Sequence, residues 1–464
     1  MTALSLPRPR RMRPLAILVA SLALVAGTQL AGLLRPTSLP AAVPQPPQTV
    51  SGPVTPPGAP LVGAPGSLAK IDHSIAAWTA NLESNERDFL SASNLGLLYE
   101  ARARLSGDVG DYARAEEAAN RSLAIEPRQL DVQALHARLL LATHDFARAL
   151  TEAEAINRAA PDQPAVLSII ADARLELGDV AAASGLYEQI QTLAPGPAVT
   201  ARLARVAFLR GDPASAVAQA ESAHAAALAE GQAGPALSWY AYLAGTLSLA
   251  AGSPESAATW FDRALGAWPE SFLALAGRAR VAAALGDVDA AIAGYRTAVA
   301  IAPQPDALTA LGDLLALGGD TANAQAQYDT VIAIALLQGA AQGSGKLVFN
   351  RQLALFKVNH EQDLTGALVL AERELAERHD AYGYDTYAWA LLANGRAADA
   401  DAAMTRALAF GSRDATLLFH AGEIARALGD AARARDLLGQ ALAIRGALDP
   451  LAASRATAAL DSLR

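Results

Sequence analysis

One pattern occurs twice in the chain, as AAALGDVDAAIAGYRTAVAIAP in residues 282–303 and as RLELGDVAAASGLYEQIQTLAP in residues 174–195. Both stretches have Gly-Asp, then alanine five residues after the glycine, tyrosine nine after it and proline seventeen after it. Glycine can end a helix in the left-handed conformation, and aspartate can cap the next helix. Proline then prevents that second helix from continuing. The pattern therefore predicts two helices joined by a tight turn.

The same kind of turn is predicted ten times. Neighbouring turns are 33 or 34 residues apart, except for two steps of 41 and 43. The ten turns are Gly110-Asp111, His144-Asp145, Gly178-Asp179, Gly211-Asp212, Gly252-Ser253, Gly286-Asp287, Gly319-Asp320, Gln362-Asp363, Gly395-Arg396 and Gly429-Asp430. Alanine follows each turn five residues after its first residue, which lets two helices approach closely. Because one such pair cannot bury its apolar face alone, we expect the pairs to stack on each other.

These features resemble the tetratricopeptide repeat (TPR) family. In residues 272–303 the family's positions are occupied by Ala279, Gly286, Ala291, Tyr295, Ala298 and Pro303. The resemblance covers roughly residues 86–446. It implies an all-α fold, a right-handed superhelical solenoid of about ten helix-turn-helix repeats. The unit at residues 348–380 departs from the family at Gln362, where glycine is usual, and the first unit has about seven additional residues in its first helix.

Two insertions interrupt the period, around residues 224–236 and 336–347. Each is expected to lengthen a second helix and to add a loop. We assign residues 68–448 to the solenoid. Residues 449–464 have the pattern of one amphipathic helix, which is expected to cap the last repeat.

The first 67 residues differ in composition from the repeats. Residues 1–14 form a basic tail, and residues 15–34 contain no charge over a length that can span a bilayer. The basic flank predicts that the N-terminus stays in the cytoplasm. Residues 35–67 contain ten prolines, which predicts a disordered linker.

We favour a membrane anchor at residues 15–34, embedded in the lipid bilayer, with the repeats outside the cytoplasm. In a bacterium this location is the periplasm or the cell envelope. The alternatives are a cleaved signal peptide, which would give a secreted soluble binding protein, and a buried helix of the fold.

The composition argues against several functions. A net charge of −9 argues against a nucleic-acid-binding surface, which requires clustered basic charge. The chain has no cysteine, so it has no disulfide and no thiolate metal site. The seven histidines are scattered singly, and no carboxylate pair stands out as an acid–base couple. We therefore predict no cofactor, no metal, no small-molecule substrate and no enzymatic activity; the alternative is an enzyme with an unrecognised site in the solenoid.

The resemblance implies that the first helices line a concave groove. The side chains expected at its contact positions are Phe208, Trp239, Tyr242, Phe349, Phe356, Tyr382, Trp389 and Phe419, with Arg138, Arg205 and Arg280. Aromatic anchors bind peptides and helices, and arginine binds carboxylates. The groove is therefore predicted to bind a protein or peptide partner, and the alternative is that the aromatic side chains pack between repeats.

Overall fold

The structure is a computed structural model that describes residues 68–341 and 350–464. All of these residues belong to one compact unit. The basic tail, the apolar segment 15–34 and the proline-rich linker lie outside the described residues. Among the described residues, none of the helices has the length and apolar character needed to span a bilayer.

The described chain has 22 helices and no strand, which confirms the predicted all-α fold. Their bounds are Leu68–Ser84 (α1), Phe89–Ser106 (α2), Gly110–Ile125 (α3), Leu130–Ala142 (α4), Phe146–Ala159 (α5), Pro164–Glu176 (α6), Val180–Leu193 (α7), Pro197–Leu209 (α8), Pro213–Ala229 (α9), Gly234–Ala250 (α10), Pro254–Ala267 (α11), Phe272–Ala284 (α12), Val288–Ile301 (α13), Pro305–Leu317 (α14), Thr321–Ala341 (α15), Asn350–Asn359 (α16), Leu364–Glu377 (α17), Ala381–Ala393 (α18), Ala397–Leu408 (α19), Ala415–Ala427 (α20), Ala431–Ala443 (α21) and Pro450–Ser462 (α22).

Helices α2 to α21 form ten helix-turn-helix pairs, each with an even-numbered first helix and an odd-numbered second helix. Gly178 and Gly286 end their first helices with φ of 92° and 85°, in the left-handed region. Asp179 and Asp287 cap the second helices, each accepting a hydrogen bond from a backbone N–H at 3.1 Å. The Gly-Asp pattern therefore folds as expected at these turns.

The first turn differs from the prediction. Gly107, with φ of 74°, ends α2, and the predicted turn glycine, Gly110, is instead the first residue of α3. Asp111 is buried and forms an ion pair with Arg102, whose Nε lies 2.7 Å from its Oδ2. It therefore stabilises the contact between α2 and α3 through its side-chain charge. Helix α2 is also longer than most first helices, with 18 residues against 13 in α4.

Two turns form without glycine. His144 adopts φ of 63° at the second turn. At the eighth turn the left-handed residues are Glu361 and Asp363, on either side of Gln362. Asp363 still accepts a hydrogen bond from the backbone N–H of Gly366 at 3.1 Å, so the second helix keeps its cap.

The insertions lengthen helices. Helices α9 and α10 have 17 residues each, and α15 has 21. The loop predicted after α15 falls in residues 342–349, which lie outside the described residues.

First helices of neighbouring pairs contact each other, as in α4 with α6, α10 with α12 and α18 with α20. Each pair is held together by a fully buried alanine in its second helix, such as Ala183 or Ala291. Because the alanine side chain is short, the two helix axes can lie close together. The first helices therefore form the inner face of the solenoid.

Segments about six pairs apart in sequence also contact each other. Gln304 Nε2 donates to the carbonyl of Gly107 at 3.3 Å, across 197 residues. Arg445 pairs with Glu255 at 2.8 Å across 190 residues, and Arg378 pairs with Glu176 across 202 residues. In the first and third contacts the turn of one pair meets the loop that precedes the sixth pair after it, and in the second the turn of the fifth pair meets the loop that precedes the single helix α22. The solenoid therefore completes one superhelical turn in about six pairs, and successive turns lie in direct contact.

Candidate functional site

The predicted groove residues fall into three settings, apart from Phe349, which lies outside the described residues. Phe208, Trp239, Tyr242 and Tyr382 are half-buried. Phe356, Trp389 and Phe419 are buried. The three arginines each have a partner within the chain.

The middle groove, defined here by Phe208 on α8 and by Trp239 and Tyr242 on α10, keeps its aromatic side chains half-buried. The ring of Trp239 lies 5.3 Å from that of the buried Tyr240, edge to face, and Tyr242 lies 6.0 Å from Phe261. Burial raises the pKa of the Tyr242 hydroxyl, which also forms a side-chain hydrogen bond with Thr246 on the same helix. Side chains fixed on one side by a packed core and open on the other can act as anchors for a ligand.

The aromatic side chains near the C-terminus pack between repeats. Trp389 stacks on His420 at 4.1 Å, and its Nε1 donates to Asn359 Oδ1 at 2.9 Å. Phe419 lies 5.7 Å from Trp389. Phe356 belongs to the same apolar cluster. At these positions the structure favours the packing interpretation that the sequence left open.

Each arginine predicted for the groove is engaged inside the chain. Arg138 holds Glu100 with two hydrogen bonds, of 3.2 and 2.8 Å. Arg280 donates to the carbonyl of Ala447 at 2.5 Å. Arg205 pairs with Glu176. A partner's carboxylate could reach these cations only by displacing the present acceptors.

Glu176 is the centre of an ionic network that joins two superhelical turns. It pairs with Arg205 on α8 and with Arg378 in the loop before α18. Arg378 and Arg351 both reach Asp380, at 3.1 and 2.9 Å. Burial alone would raise the pKa of Glu176, but the charges of Arg205 and Arg378 outweigh it and lower that pKa to about 2. Sequence reasoning missed this network because no repeat-based pattern links positions 202 residues apart.

Helix α22 lies on the inner face and contacts α14 and α20 as well as α21. Arg455 donates to the carbonyl of Asn359, at the end of α16, at 2.8 Å. The sequence predicted a helix that covers the last repeat. The structure shows in addition that this helix crosses the first helices of earlier pairs, so it occupies the groove they form.

A cavity of about 600 Å³ remains between α22 and the first helices α16, α18 and α20. Its lining combines apolar side chains with four charged ones. The lining residues are Val358, Glu361, Leu364, Trp389, Leu392, Ala393, Phe419, Glu423, Arg426, Arg455, Ala458, Ala459 and Ser462. We call this space, together with the inner faces of the three first helices, the C-terminal groove.

Among residues 68–341 and 350–464, no group of histidine and acidic side chains is arranged to hold a metal ion.

Two stretches of the chain, residues 108–173 and 242–305, match family models described as tetratricopeptide repeat. No curated protein matches the chain. These two matches support the resemblance to tetratricopeptide repeat proteins over the stretches they cover.

Solved structures with similar folds include three repeat proteins. A tetratricopeptide repeat protein from Parabacteroides merdae is 18% identical, with 57% of this chain and 97% of that chain covered and a TM-score of 0.33. Yeast Tom70 is 14% identical, with 85% and 93% covered and a TM-score of 0.36. The human IFIT1 dimer with PPP-AAAA is 15% identical, with 81% and 86% covered and a TM-score of 0.44. At these identities the likeness concerns the fold alone.

Proposed function

We propose that this chain is a non-enzymatic scaffold for protein–protein interaction, and that its middle groove binds an extended peptide or a helix of a partner. The observation that carries the proposal is the set of half-buried aromatic side chains at Phe208, Trp239 and Tyr242, on two consecutive first helices. Large, rigid aromatic side chains supply much of the binding energy at protein interfaces for a small loss of conformational entropy.

The partner of the middle groove is proposed to be a protein and not a nucleic acid. The chain has a net charge of −9, and its groove arginines Arg138 and Arg205 are already neutralised by Glu100 and Glu176. A phosphate backbone would require free basic side chains along its path. We therefore expect recognition by apolar contact with the three aromatic rings and by a hydrogen bond from the indole N–H of Trp239.

Site-specific photo-crosslinking in the native cell tests this proposal. A photoreactive residue at Tyr242 should capture one discrete protein, and the same residue at Thr297, on the exposed side of the second helix α13, should not. Replacing Trp239 by serine should reduce the capture at Tyr242 at least tenfold, since one anchor of the same groove is lost. Equal capture at Tyr242 and Thr297, or no capture at either, would refute binding in the middle groove.

The cellular location is a second part of the proposal. The uncharged residues 15–34 with their basic flank support a single membrane span, and we propose that the repeats lie on the extracytoplasmic side, where they would hold an envelope complex. Fractionation of cells producing the full chain should recover it with membranes, resistant to salt extraction. Mature protein that starts after residue 34 would instead indicate the secreted form.

A further inference from the structure

The contact between α22 and the groove fully buries only small side chains, while Leu460 and Leu463 are partly buried against the same apolar cluster. Only Ala456 and Ala459 of this 13-residue helix are buried. Helix α20 has the same length, and nine of its residues are buried. A helix that removes so little apolar surface from water is held weakly, and such elements open locally before the rest of the fold.

The space beneath α22 is larger than the helix can fill. The cavity of about 600 Å³ has Trp389 and Phe419 in its lining, and α22 presents Ala458 and Ala459 to it. Apolar side chains gain dispersion energy when they contact neighbours on every side, and here they lack partners toward the cavity. A helix with larger side chains at the positions of these alanines would fill space that α22 leaves empty.

Polar contacts nevertheless fix where α22 lies. Asp449 caps its first turn by accepting from the N–H of Ala452 at 2.8 Å. Arg455 reaches the carbonyl of Asn359, and Arg435 donates to the carbonyl of Leu463, both at 2.8 Å. These bonds set the direction and register of a helix in the groove, and another helix could lie along the same line.

From these contacts we infer that α22 is a displaceable occupant of the C-terminal groove, and that the partner of this groove is an amphipathic helix with apolar side chains larger than alanine. The inference rests on the proposed function, since it assumes that the inner face of the repeats binds partner segments. It adds to that function a class of ligand, an amphipathic helix, and a mode of regulation, competition between this helix and α22. Because α22 is part of the chain, it competes at high effective concentration, and only a better-fitting helix displaces it.

The test uses the full chain and a fluorescent peptide of residues 448–464 in which Ala458 and Ala459, the two alanines that line the cavity, are replaced by leucine. The variant Ala456→Glu places a charge on the buried face of α22 and should release the helix, so the peptide should bind at least tenfold more tightly than to the unmodified chain. The matched control is Thr457→Glu, which places the same charge on the exposed face and should leave the affinity unchanged. Equal affinity for all three chains, or no binding to Ala456→Glu, would overturn the inference.

Hydrogen exchange of the unmodified chain gives an independent answer if Ala456→Glu fails to fold. The backbone amides of α22 should exchange at least 100-fold faster than those of α20. Exchange of α22 at the same rate as α20 would show a fixed structural cap and would overturn the inference. Crosslinking at Tyr242 is a separate measurement, because Tyr242 lies on α10, outside the helices that line the cavity, so failure of the middle groove and failure of the C-terminal groove can be told apart.

Discussion

The turns at Gly178 and Gly286 have the same sequence, Gly-Asp-Val, and nearly the same backbone, with φ of 92° and 85°. Their surroundings differ. At Gly178 a Cβ atom would overlap the carbonyl of His379, which belongs to the next superhelical turn, whereas at Gly286 it would meet open space. One repeat pattern therefore serves two purposes: at both turns it joins two helices, and at Gly178 it also permits contact between superhelical turns.

The largest expected effect is a loss of stability in Gly178→Ala that Gly286→Ala shares only in part. Gly178→Ala combines a left-handed backbone, which disfavours a side chain, with a clash against the backbone of His379, so we expect a loss of about 4 kcal/mol in the free energy of unfolding. Gly286→Ala carries only the backbone cost, about 1 kcal/mol. Urea unfolding followed by circular dichroism measures both. Equal losses would mean that the two turns have the same surroundings.

The second-largest loss of stability is expected when the ionic contact between superhelical turns is removed. Glu176→Gln removes the carboxylate that Arg205 and Arg378 share and leaves Arg205 without its charged acceptor, which should cost about 3 kcal/mol. Because the pKa of Glu176 in the folded chain is lowered to about 2, its stabilising contribution is present above its ordinary pKa of 4.5 and is lost as the pH falls through about 2. The stability difference between the variant and the unmodified chain should therefore shrink in acid, and a difference independent of pH would contradict this account.

A charge pair between neighbouring helices should have a smaller effect with the opposite pH dependence. His136 on α4 lies 2.7 Å from Glu152 on α5, and the carboxylates of Glu116 and Glu152 raise the pKa of His136 to about 9. Its contribution, about 2 kcal/mol, is complete below pH 6.5 and is lost as the pH rises through about 9.

The His136→Gln variant should therefore be less stable than the unmodified chain at pH 6 and equally stable above pH 9. Arg278 occupies the same repeat position in α12 and pairs with Asp262 at the surface, at 2.9 Å. Arg278→Gln should change stability by less than about 0.5 kcal/mol at either pH. Thermal unfolding at the two pH values measures all of these differences.

The smallest difference in stability is expected between substitutions of Tyr187 and Tyr295, the tyrosines of the two repeat stretches 174–195 and 282–303. The hydroxyl of Tyr187 is fully buried and donates to Asp172 at 2.7 Å, and Asp172 also pairs with Arg202. Tyr187→Phe should cost about 1.5 kcal/mol, since one buried hydrogen bond to a charged group is lost. Tyr295→Phe should cost less than about 0.5 kcal/mol. Urea unfolding of both variants measures the two losses of stability. A larger loss for Tyr295→Phe than for Tyr187→Phe would contradict this prediction.

The features predicted from the sequence are those set by neighbouring residues. The ten pairs, the left-handed glycines and the long helices at the two insertions follow from local chemistry at fixed spacing. The turn at Gly110 was misplaced because Gly107, three residues earlier, ends the helix and Asp111 is engaged by Arg102.

The groove was harder to predict because burial depends on contacts between distant segments. The family resemblance assigned both Tyr242 and Trp389 to contact positions of the groove, yet Tyr242 is half-buried and Trp389 packs on His420. The position of α22 could not be read from its own alanines. It depends on Asn359 and on the first helices of earlier pairs, which the repeat pattern treats as equivalent to all others.

Successive superhelical turns contact each other through segments about six pairs apart in sequence. These contacts fix where the inner faces of the repeats lie, so they are the feature to test most directly. The chain has no cysteine, so an introduced pair can be crosslinked specifically. Cysteines replacing Glu255 and Arg445, an exposed pair 2.8 Å apart across 190 residues, should be joined quickly by a short bismaleimide in the folded full chain and slowly in urea. A cysteine pair replacing Glu255 and Arg406 is the control. Failure of the first pair to crosslink in the folded chain, or a rate no faster than in urea, would contradict the contact between successive turns.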